Sequence, residues 1–187
     1  MKVKIRKHLK QQLSSLTDKD VLEKSAKIAI KLLKYSDTYK NKNCLIYKSS
    51  KNEVLIDSIE ENLISNGNSV FIPKIIDGNS LCFNRLDSNQ KLILNKFNIL
   101  ESPSTELIEV SGLDLIILPI VGTDKSGFRL GHGGGYYDRG LEAIFNFKNK
   151  PLIIGIGFDF QYTNKNFGEP HDTKLDLMIT DKRVIDF

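Results

Sequence analysis

Residues 129–139, with the sequence RLGHGGGYYDR, concentrate the residue types of this chain that are best suited to chemistry. Four of these eleven residues are glycines, which lack the Cβ atom that keeps a ligand away from the backbone and which tolerate positive φ. Free amides in such a loop can converge at a helix N-terminus and bind an anion such as phosphate. Asp138 would repel that phosphate unless a hard cation such as Mg²⁺ lay between them. The segment therefore predicts a site for a phosphorylated ligand and a divalent cation.

A plain glycine-rich turn between a strand and a helix is the alternative interpretation of residues 129–139. The segment matches neither the Walker pattern nor the spacing of the dinucleotide-binding fingerprint. Two arginines, two tyrosines and an aspartate nevertheless occur in the same short segment. Because a turn requires none of these side chains, the composition favours a binding site.

The elements around this segment must hold it at one end of a sheet. Residues 113–120 are almost continuously apolar, which is typical of a buried strand in a parallel sheet. In open α/β sheets, ligands bind beyond the carboxyl ends of the strands. Residues after the glycines recur at helical spacing and predict a helix, namely Tyr136, Tyr137, Leu141, Ile144 and Phe145. The glycines are thus predicted to lie in the loop that leads from this strand to this helix.

Strands alternate with helices along the whole chain, which predicts an α/β fold. We expect a three-layer α/β/α arrangement with a mostly parallel central sheet, that is, a Rossmann-like open sheet, and a small antiparallel addition around residues 69–86. The predicted helices cover residues 2–16, a segment from about Asp18, residues 54–66 with Gly67 as C-cap, and the segment after the glycines. The predicted strands cover residues 43–47, 69–76, 81–86, 113–120, 151–158 and 177–180, with a turn at Asp77 and Gly78.

Residues 118–139, LPIVGTDKSGFRLGHGGGYYDR, resemble the signature of the 5-formyltetrahydrofolate cyclo-ligase family, also called the 5,10-methenyltetrahydrofolate synthetases. Shorter matches on both sides extend the resemblance over nearly the whole chain. It implies the same fold and a reaction of 5-formyltetrahydrofolate with ATP that yields 5,10-methenyltetrahydrofolate, ADP and phosphate. It further implies that the formyl oxygen is phosphorylated before N10 attacks, with ATP as co-substrate and Mg²⁺ as cofactor.

The resemblance also assigns roles to residues outside the glycine segment. Lys2 and Arg6 match a Lys-x-x-x-Arg pair that contacts ATP in the family. Glu53 matches a glutamate that binds the folate, and Pro73 matches a residue that lines the folate pocket. Asp172 matches the second magnesium carboxylate, which would act together with Asp138.

Within the glycine segment, Arg129 is the predicted catalytic residue. A well-placed cation at a transferring phosphoryl group can raise a rate by a factor on the order of 10³ or more. The predicted ATP-binding residues are Lys2, Arg6, Arg129, Leu130, Gly131, His132, Gly133, Gly134, Gly135, Tyr136 and Tyr137. The predicted folate-binding residues are Lys48, which follows the first predicted strand, Glu53, Pro73, His132, Gly133, Gly134, Gly135 and Tyr136.

Residue types alone leave simpler explanations open at several positions. Lys2 and Arg6 could belong to a solvated basic face of the first helix, Glu53 could only complement a helix macrodipole, and His171 could be an ordinary loop histidine. Two other functions also stay open. One is an ATP-dependent ligase or kinase of the same architecture that acts on another amide or acid, and the other is a non-catalytic nucleotide- or RNA-binding module.

Composition predicts one soluble domain that spans residues 1–187. Hydrophobic residues make up 40% and charged residues 27%, and no linker-like stretch divides the chain. The net charge is +4 and lysines are dispersed, so no nucleic-acid partner is expected. Cys44 and Cys82 lie in apolar segments and are expected to be reduced thiols. Without a signal peptide or a span of transmembrane length, we expect a cytoplasmic monomer with no membrane partner.

Overall fold

The computed structural model describes residues 1–36, 38–76, 80–88, 90–95 and 99–187. The α-helices of this part of the chain are α1 (Lys2–Ser14), α2 (Asp18–Ser36), α3 (Asp57–Ser65) and α4 (Tyr136–Gly140). Its strands are β1 (Asn43–Leu45), β2 (Ser69–Ile75), β3 (Leu81–Leu86), β4 (Ile93–Leu94), β5 (Leu100–Glu101), β6 (Leu107–Ile108), β7 (Leu115–Pro119), β8 (Gly122–Thr123), β9 (Arg129–Leu130), β10 (Leu152–Ile156), β11 (Leu177–Ile179) and β12 (Val184–Asp186). The predicted turn at Asp77 and Gly78 lies outside the described residues.

The main sheet has eight strands in the order β12-β11-β10-β7-β1-β2-β3-β6. Its central neighbours, from β11 to β2, pair in parallel, whereas β12, β3 and β6 pair antiparallel. The predicted mostly parallel sheet and the antiparallel addition at β2 and β3 are therefore confirmed. The antiparallel strand β12, at the opposite edge, was not predicted. Pro73 lies in β2 beyond Phe71, the last residue that pairs with β1, so its missing N–H interrupts no parallel ladder.

The two faces of the sheet carry separate apolar clusters because successive side chains of a strand point to opposite sides. On one face, Ile28 of α2 and Ile59 of α3 pack in the same cluster as Ile117 of β7. On the other face, Leu141 and Ile144 pack in the same cluster as Ile116. This arrangement gives the three predicted layers. Among the described residues, no helix combines the length and the apolar character that a membrane span requires.

The segment around the glycines differs most from its prediction. Residues 121–130 form the hairpin β8–β9 instead of an open loop. The helix predicted after the glycines is only the short α4, which is followed by the 3-10 helix Glu142–Asn146. Gly140 ends α4 where the chain approaches β3, since a Cβ added there would lie 3.3 Å from the Cβ of Leu81. Helix α4 thus stops where glycine weakens helical structure and permits this close approach.

Helix α3 begins later than predicted, at Asp57 rather than near Val54. The Tyr47 hydroxyl donates a hydrogen bond to the carbonyl oxygen of Val54 at 2.7 Å, and the Ser49 hydroxyl donates to the same oxygen at 2.9 Å. These bonds hold residues 48–54 as a loop beyond β1. The connection between β1 and α3 is therefore longer than the one between the predicted strand at residues 43–47 and the predicted helix at residues 54–66, and Glu53 lies in it.

Thr123 of β8 provides a stability test, because its side-chain hydroxyl is fully buried and finds no hydrogen-bond partner among the described residues. An unsatisfied buried polar group costs about 1–3 kcal/mol. Thr123→Val replaces this hydroxyl with a methyl group of similar size. We expect the free energy of unfolding to rise by about 1 kcal/mol, as measured by urea denaturation.

Thr173→Val is the matched control for this substitution. Thr173 is also buried, but its hydroxyl donates a hydrogen bond to Asp138 Oδ1 at 3.0 Å. We expect this variant to lose stability, because its hydroxyl has a partner. A loss of stability in Thr123→Val as well would show that the Thr123 hydroxyl is satisfied in solution.

Candidate active site

One large cavity, with a volume of about 700 Å³, lies beyond the carboxyl ends of the central strands. Pro119 at the end of β7, Tyr47 after β1 and Pro73 near the end of β2 contribute to its wall. Every residue that the sequence analysis assigned to ATP, folate or magnesium also lines this cavity. The structure therefore brings together residues that lie as far apart in the chain as Lys2 and Asp172.

The glycine loop follows β9 and forms part of this wall. Gly133 and Gly135 have φ angles of +115° and +65°, which residues with a Cβ atom rarely adopt. Gly135 directly precedes α4, which has only five residues. Because so short a helix contributes little macrodipole, any anion bound here would depend on the loop backbone and on nearby cations. The sequence analysis had expected a full helix N-terminus at this point.

Arg129 is a buried cation that lines the cavity. Its side chain is buried, with a residue exposure of 5%, and its Nε donates a hydrogen bond to the carbonyl oxygen of Pro119 at 2.8 Å. The guanidinium carbon lies 4.8 Å from the centre of the Tyr137 ring, a distance typical of a cation–π contact. Burial lowers the pKa of Arg129, but nearby Tyr137 and Asp138 oppose that shift, and arginine stays protonated in proteins. The site thus contains a fixed positive charge.

Helix α1 closes one side of the cavity and supplies further cations. Arg6 Nε donates a hydrogen bond to the carbonyl oxygen of Gly131 at 2.8 Å, and Lys10 Nζ donates to that of His132 at 3.2 Å. Leu9, on the same helix, packs in a small apolar cluster with Leu130 of β9. The basic face of α1 therefore binds the glycine loop directly and is not merely solvated.

Lys2 forms ion pairs with two carboxylates near the end of the chain. Its Nζ lies 2.6 Å from Asp172 Oδ2 and 3.0 Å from Glu169 Oε2. Burial would lower the pKa of Lys2, but the hydrogen bonds to Asp172 and Glu169 raise it above its ordinary value. Lys2 is thus charged and holds the N-terminus of α1 against this acidic segment.

The two predicted magnesium carboxylates both face the cavity, but they have different surroundings. Asp138 Oδ1 accepts hydrogen bonds from the backbone N–H and the hydroxyl of Thr173, at 3.1 and 3.0 Å. Asp172 is 7% exposed, and its Oδ2 accepts the backbone N–H of Glu169 at 2.6 Å. Since Thr173 directly follows Asp172, it links the two carboxylates.

A second grouping of possible metal ligands involves Asp172 without Asp138. Ligand atoms of Glu169, His171 and Asp172 all lie within 4.8 Å of one another. Carboxylate oxygens suit Mg²⁺, and Asp172 has two possible acidic partners: Glu169 in this group, and Asp138, which accepts hydrogen bonds from the neighbouring Thr173. The sequence analysis had given Glu169 and His171 no metal role, because neither residue type is distinctive in a polar loop.

Glu53 lines the cavity from the loop beyond β1. Its Oε2 accepts the backbone N–H of Ser50 at 2.9 Å, and its Oε1 lies 3.3 Å from His132 Nε2. Burial would raise the pKa of Glu53, but the hydrogen bonds from His132 and Ser50 lower it below its ordinary value. Glu53 is therefore ionised at neutral pH and offers a hydrogen-bond acceptor to a ligand.

Lys48 and Tyr136 also line the cavity, each with a protein partner of its own. Lys48 Nζ forms a short ion pair with Glu60 of α3, so its charge is largely neutralised by the protein. The Tyr136 ring lies 5.5 Å from the guanidinium carbon of Arg139. Arg139 Nη2 in turn donates a hydrogen bond to the carbonyl oxygen of Gly134 at 2.8 Å. Arg139 therefore supports the loop, a role that the sequence analysis did not predict.

Several wall residues had no predicted role. Glu101 is buried, and its Oε1 accepts the backbone N–H of Ile75 and the side-chain amide of Asn95, at 2.9 and 2.8 Å. Besides Arg139, the other cavity residues without a predicted role are Tyr47, Ser50, Ile75, Leu81, Ile99, Leu100, Pro119, Glu142 and His171. Most of them are apolar or small, and no local pattern distinguishes them from ordinary core or loop residues.

By its fold, the protein belongs to the class of open-sheet α/β proteins, and its cavity lies at the carboxyl ends of the parallel strands, where such proteins bind ligands. The sequence model of the 5-formyltetrahydrofolate cyclo-ligase family matches residues 1–181. The chain therefore belongs to the 5-formyltetrahydrofolate cyclo-ligase family.

Individual relatives and solved structures agree with this assignment. The chain is 30% identical over 184 residues to the mouse 5-formyltetrahydrofolate cyclo-ligase, covering 94% of this chain and 91% of that protein. It is 27% identical over 180 residues to the enzyme of Escherichia coli K12, with coverages of 94% and 98%. A structure of the 5,10-methenyltetrahydrofolate synthetase from Mycoplasma pneumoniae superposes with a TM-score of 0.78 at 28% identity, covering 96% of this chain and 98% of that one. The synthetase from Aquifex aeolicus gives 0.80 at 26% identity, with coverages of 99% and 92%.

Proposed function

We propose that this protein converts 5-formyltetrahydrofolate and ATP to 5,10-methenyltetrahydrofolate, ADP and phosphate. The observation that carries the proposal is that one large cavity is lined by every residue that matches the ATP, folate and magnesium positions of the family. Membership of the family supports the same reaction. A volume of about 700 Å³ also lies within the range of about 300–1,000 Å³ that is typical of small-molecule sites.

The chemistry explains why such a site needs cations more than a protein nucleophile. The N5-formyl group is an amide, so its carbon is a poor electrophile and its oxygen a poor leaving group. We propose that the formyl oxygen attacks the γ-phosphorus of ATP and that ADP departs. N10 then attacks the activated carbon, the carbon–oxygen bond breaks, and phosphate leaves with the former formyl oxygen while N10 loses its proton.

Phosphoryl transfer of this kind depends on positioning and on neutralising charge. We assign Arg129 as the catalytic cation at the transferring group, because its contacts with Pro119 and Tyr137 hold it fixed at the cavity wall. Arg6 and the glycine-loop backbone would bind the ATP phosphates, and Lys2 would join them by exchanging its ion pair with Asp172 for a phosphate. Asp172 with Asp138 would hold Mg²⁺, which neutralises phosphate charge when bound.

The folate is assigned to the other part of the cavity. We propose that Glu53, held by Ser50 and His132, accepts hydrogen bonds from the folate. Pro73 and Tyr136 would contact its apolar surface, and the loop residues from His132 to Gly135 would lie between the two substrates. Lys48 would mainly form part of the cavity wall beside the folate, because its ammonium group already pairs with Glu60.

We further propose that residues 1–187 act as one domain and as a monomer in the cytoplasm. An eight-stranded sheet with apolar clusters on both faces, built from strands that lie between residues 43 and 186, supports one domain. Cys44 and Cys82 are free thiols, and burial raises the pKa of Cys44 to about 12, so this thiol is unreactive. Light scattering on purified protein should give the monomer mass of 21.2 kDa.

The direct test is an enzyme assay. Purified protein is mixed with ATP, Mg²⁺ and 5-formyltetrahydrofolate, and formation of the methenyl product is measured by its ultraviolet absorbance. We expect product only when both substrates are present. ATP turnover with a different amide or acid, and none with the folate, would indicate another ligase of the same architecture. Steeply salt-dependent binding of polynucleotide without any turnover would indicate a binding module instead.

Glu53→Gln tests the folate assignment. The substitution keeps the size of the side chain but replaces one acceptor oxygen with an NH₂ group and removes the charge. We expect KM for 5-formyltetrahydrofolate to rise at least about tenfold, which corresponds to about 1.4 kcal/mol, while KM for ATP stays within about twofold. Steady-state kinetics with each substrate varied in turn measures both effects.

Glu106→Gln is the control for Glu53→Gln, because Glu106 pairs with Arg85 through Oε1 at 2.9 Å and lies outside the cavity. It should leave both KM values unchanged. Equal increases in the two KM values of Glu53→Gln would argue against a folate-specific role for Glu53.

A further inference from the structure

Asp124, in the turn between β8 and β9, carries a carboxylate that is completely buried, with 0% exposure. Its Oδ1 accepts the backbone N–H groups of Ser126 and Phe128, each at 2.9 Å. Its Oδ2 accepts those of Phe167 and Gly168, at 3.0 and 2.9 Å. Asp124 does not line the cavity, so it has no direct access to either substrate.

The four N–H groups come from two different segments of the chain. Ser126 and Phe128 belong to the hairpin turn that leads into Arg129 and the glycine loop. Phe167 and Gly168 directly precede the acidic segment that ends at Asp172. One carboxylate therefore connects the segment that leads into Arg129 with the segment that leads into Asp172.

Backbone hydrogen bonds continue this connection towards the site. The N–H of Arg129 donates to the carbonyl oxygen of Thr173 at 2.9 Å, and the N–H of Leu175 donates to that of Gly127 at 2.9 Å. Phe128 also pairs with Lys174 in an isolated antiparallel β-bridge. The hairpin and residues 167–175 thus form one unit, and Asp124 lies at its buried end.

The stabilisation of Asp124 depends on the positions of these amides. No salt bridge within the part of the chain that the structure describes involves Asp124. Burial would raise its pKa, but the four backbone N–H groups lower it below the ordinary value, because they stabilise the charged form. Moving either segment would leave a buried charge without part of its stabilisation. The arrangement therefore resists changes in the spacing of the two segments.

We propose that Asp124 is a positioning residue, which holds Arg129 and Asp172 at the separation that ATP requires. This inference rests on the proposed function, because it assumes that the phosphates lie between those two residues. It assigns Asp124 no contact with the folate. Glu53 and Pro73, which would bind the folate, lie on the loop beyond β1 and on β2, and neither is hydrogen-bonded to Asp124 among the described residues.

Asp124→Asn tests the proposal because it keeps the shape of the side chain. Its NH₂ group must face one of the two pairs of N–H donors, so one segment loses both hydrogen bonds. A displacement of about 1 Å at a reacting group can cost about 10²-fold in rate. We therefore expect Kd for a non-hydrolysable ATP analogue to rise at least about tenfold, while Kd for 5-formyltetrahydrofolate changes less than about twofold. Isothermal titration calorimetry with each ligand measures both values.

Asp181→Asn is the matched control. Asp181 is 9% exposed, and it accepts the backbone N–H of Asp159 at 2.8 Å and Lys24 Nζ at 2.9 Å. It lies outside the cavity. We expect this variant to lose thermal stability, as Asp124→Asn should, but to keep the wild-type affinity for the ATP analogue. Equal weakening of both ligands in Asp124→Asn, or wild-type affinity for both, would overturn the positioning role.

Hydrogen exchange on the wild-type protein tests the same inference if Asp124→Asn does not fold. The amides of Ser126, Phe128, Phe167 and Gly168 should exchange at one common opening rate, because they share one carboxylate. Addition of the ATP analogue should slow all four together. Independent exchange of the two pairs, or protection of only one pair, would contradict the inference. Failure of the wild-type protein to cyclise 5-formyltetrahydrofolate would instead contradict the proposed function.

Discussion

Replacing Arg129 with lysine should lower kcat/KM by a factor on the order of 10³, because a cation that stabilises the transferring phosphoryl group contributes about that much to the rate. The guanidinium donates through Nε to Pro119 and packs on Tyr137. Lysine is a single flexible point charge, so it cannot keep the carbonyl contact and also present further donors to a phosphate. Steady-state kinetics with saturating folate measures the loss.

Arg183→Lys is the control for this substitution. Arg183 has similar contacts, since its Nε lies 2.8 Å from Asp159 Oδ1 and its guanidinium carbon lies 5.2 Å from the centre of the Tyr162 ring. It does not line the cavity. We expect this variant to keep wild-type kinetics. If Arg129→Lys reduced thermal stability but kept its kcat, Arg129 would have a structural role only.

Asp172→Asn should also cause a large loss, with kcat/KM lower by a factor on the order of 10² or more at limiting Mg²⁺, because a metal at the phosphate contributes several kcal/mol of charge stabilisation. The asparagine side-chain oxygen can still accept a hydrogen bond from the N–H of Glu169, so the backbone conformation of residues 169–172 should be retained. Lys2 loses one of its two ion-pair partners. We expect higher Mg²⁺ concentrations to restore part of the activity, as measured by titrating Mg²⁺ at fixed ATP.

Two further variants identify the second magnesium carboxylate in the same titration. If Asp138 acts with Asp172, Asp138→Asn should raise the Mg²⁺ requirement and Glu169→Gln should not. The opposite pattern would favour the group formed by Glu169, His171 and Asp172. An unchanged Mg²⁺ requirement in Asp172→Asn itself would remove Asp172 from the metal site.

The elements that place the site could be predicted because each has a strong local pattern. The continuous apolar run around β7 indicated a buried parallel strand, and the glycines that follow it indicated a loop at the carboxyl end of the sheet. The resemblance of residues 118–139 to one family then supplied residues from distant segments. Lys2, Glu53 and Asp172 all line the cavity with the glycine loop, although no periodicity links them.

Contacts that arise only from tertiary packing could not be predicted. The ion pair between Lys48 and Glu60 joins two common surface residue types, and nothing in the sequence distinguishes Lys48 from a free cation. The hairpin β8–β9 has only two residues in each strand. Such strands are too short to show the alternation of apolar and polar residues by which a strand is predicted. Asp124 lies within residues 118–139, which resemble the family signature, but its four amide partners come from segments about 40 residues apart in the chain.

Transfer of oxygen from the formyl group to phosphate tests the central claim most directly. The protein would be supplied with ATP, Mg²⁺ and 5-formyltetrahydrofolate whose formyl oxygen is labelled with heavy oxygen, and the released phosphate would be analysed by mass spectrometry. Because the proposed reaction transfers the formyl oxygen to phosphate, we predict one labelled oxygen in each phosphate released. Methenyl product accompanied by unlabelled phosphate would contradict the proposed reaction at this site.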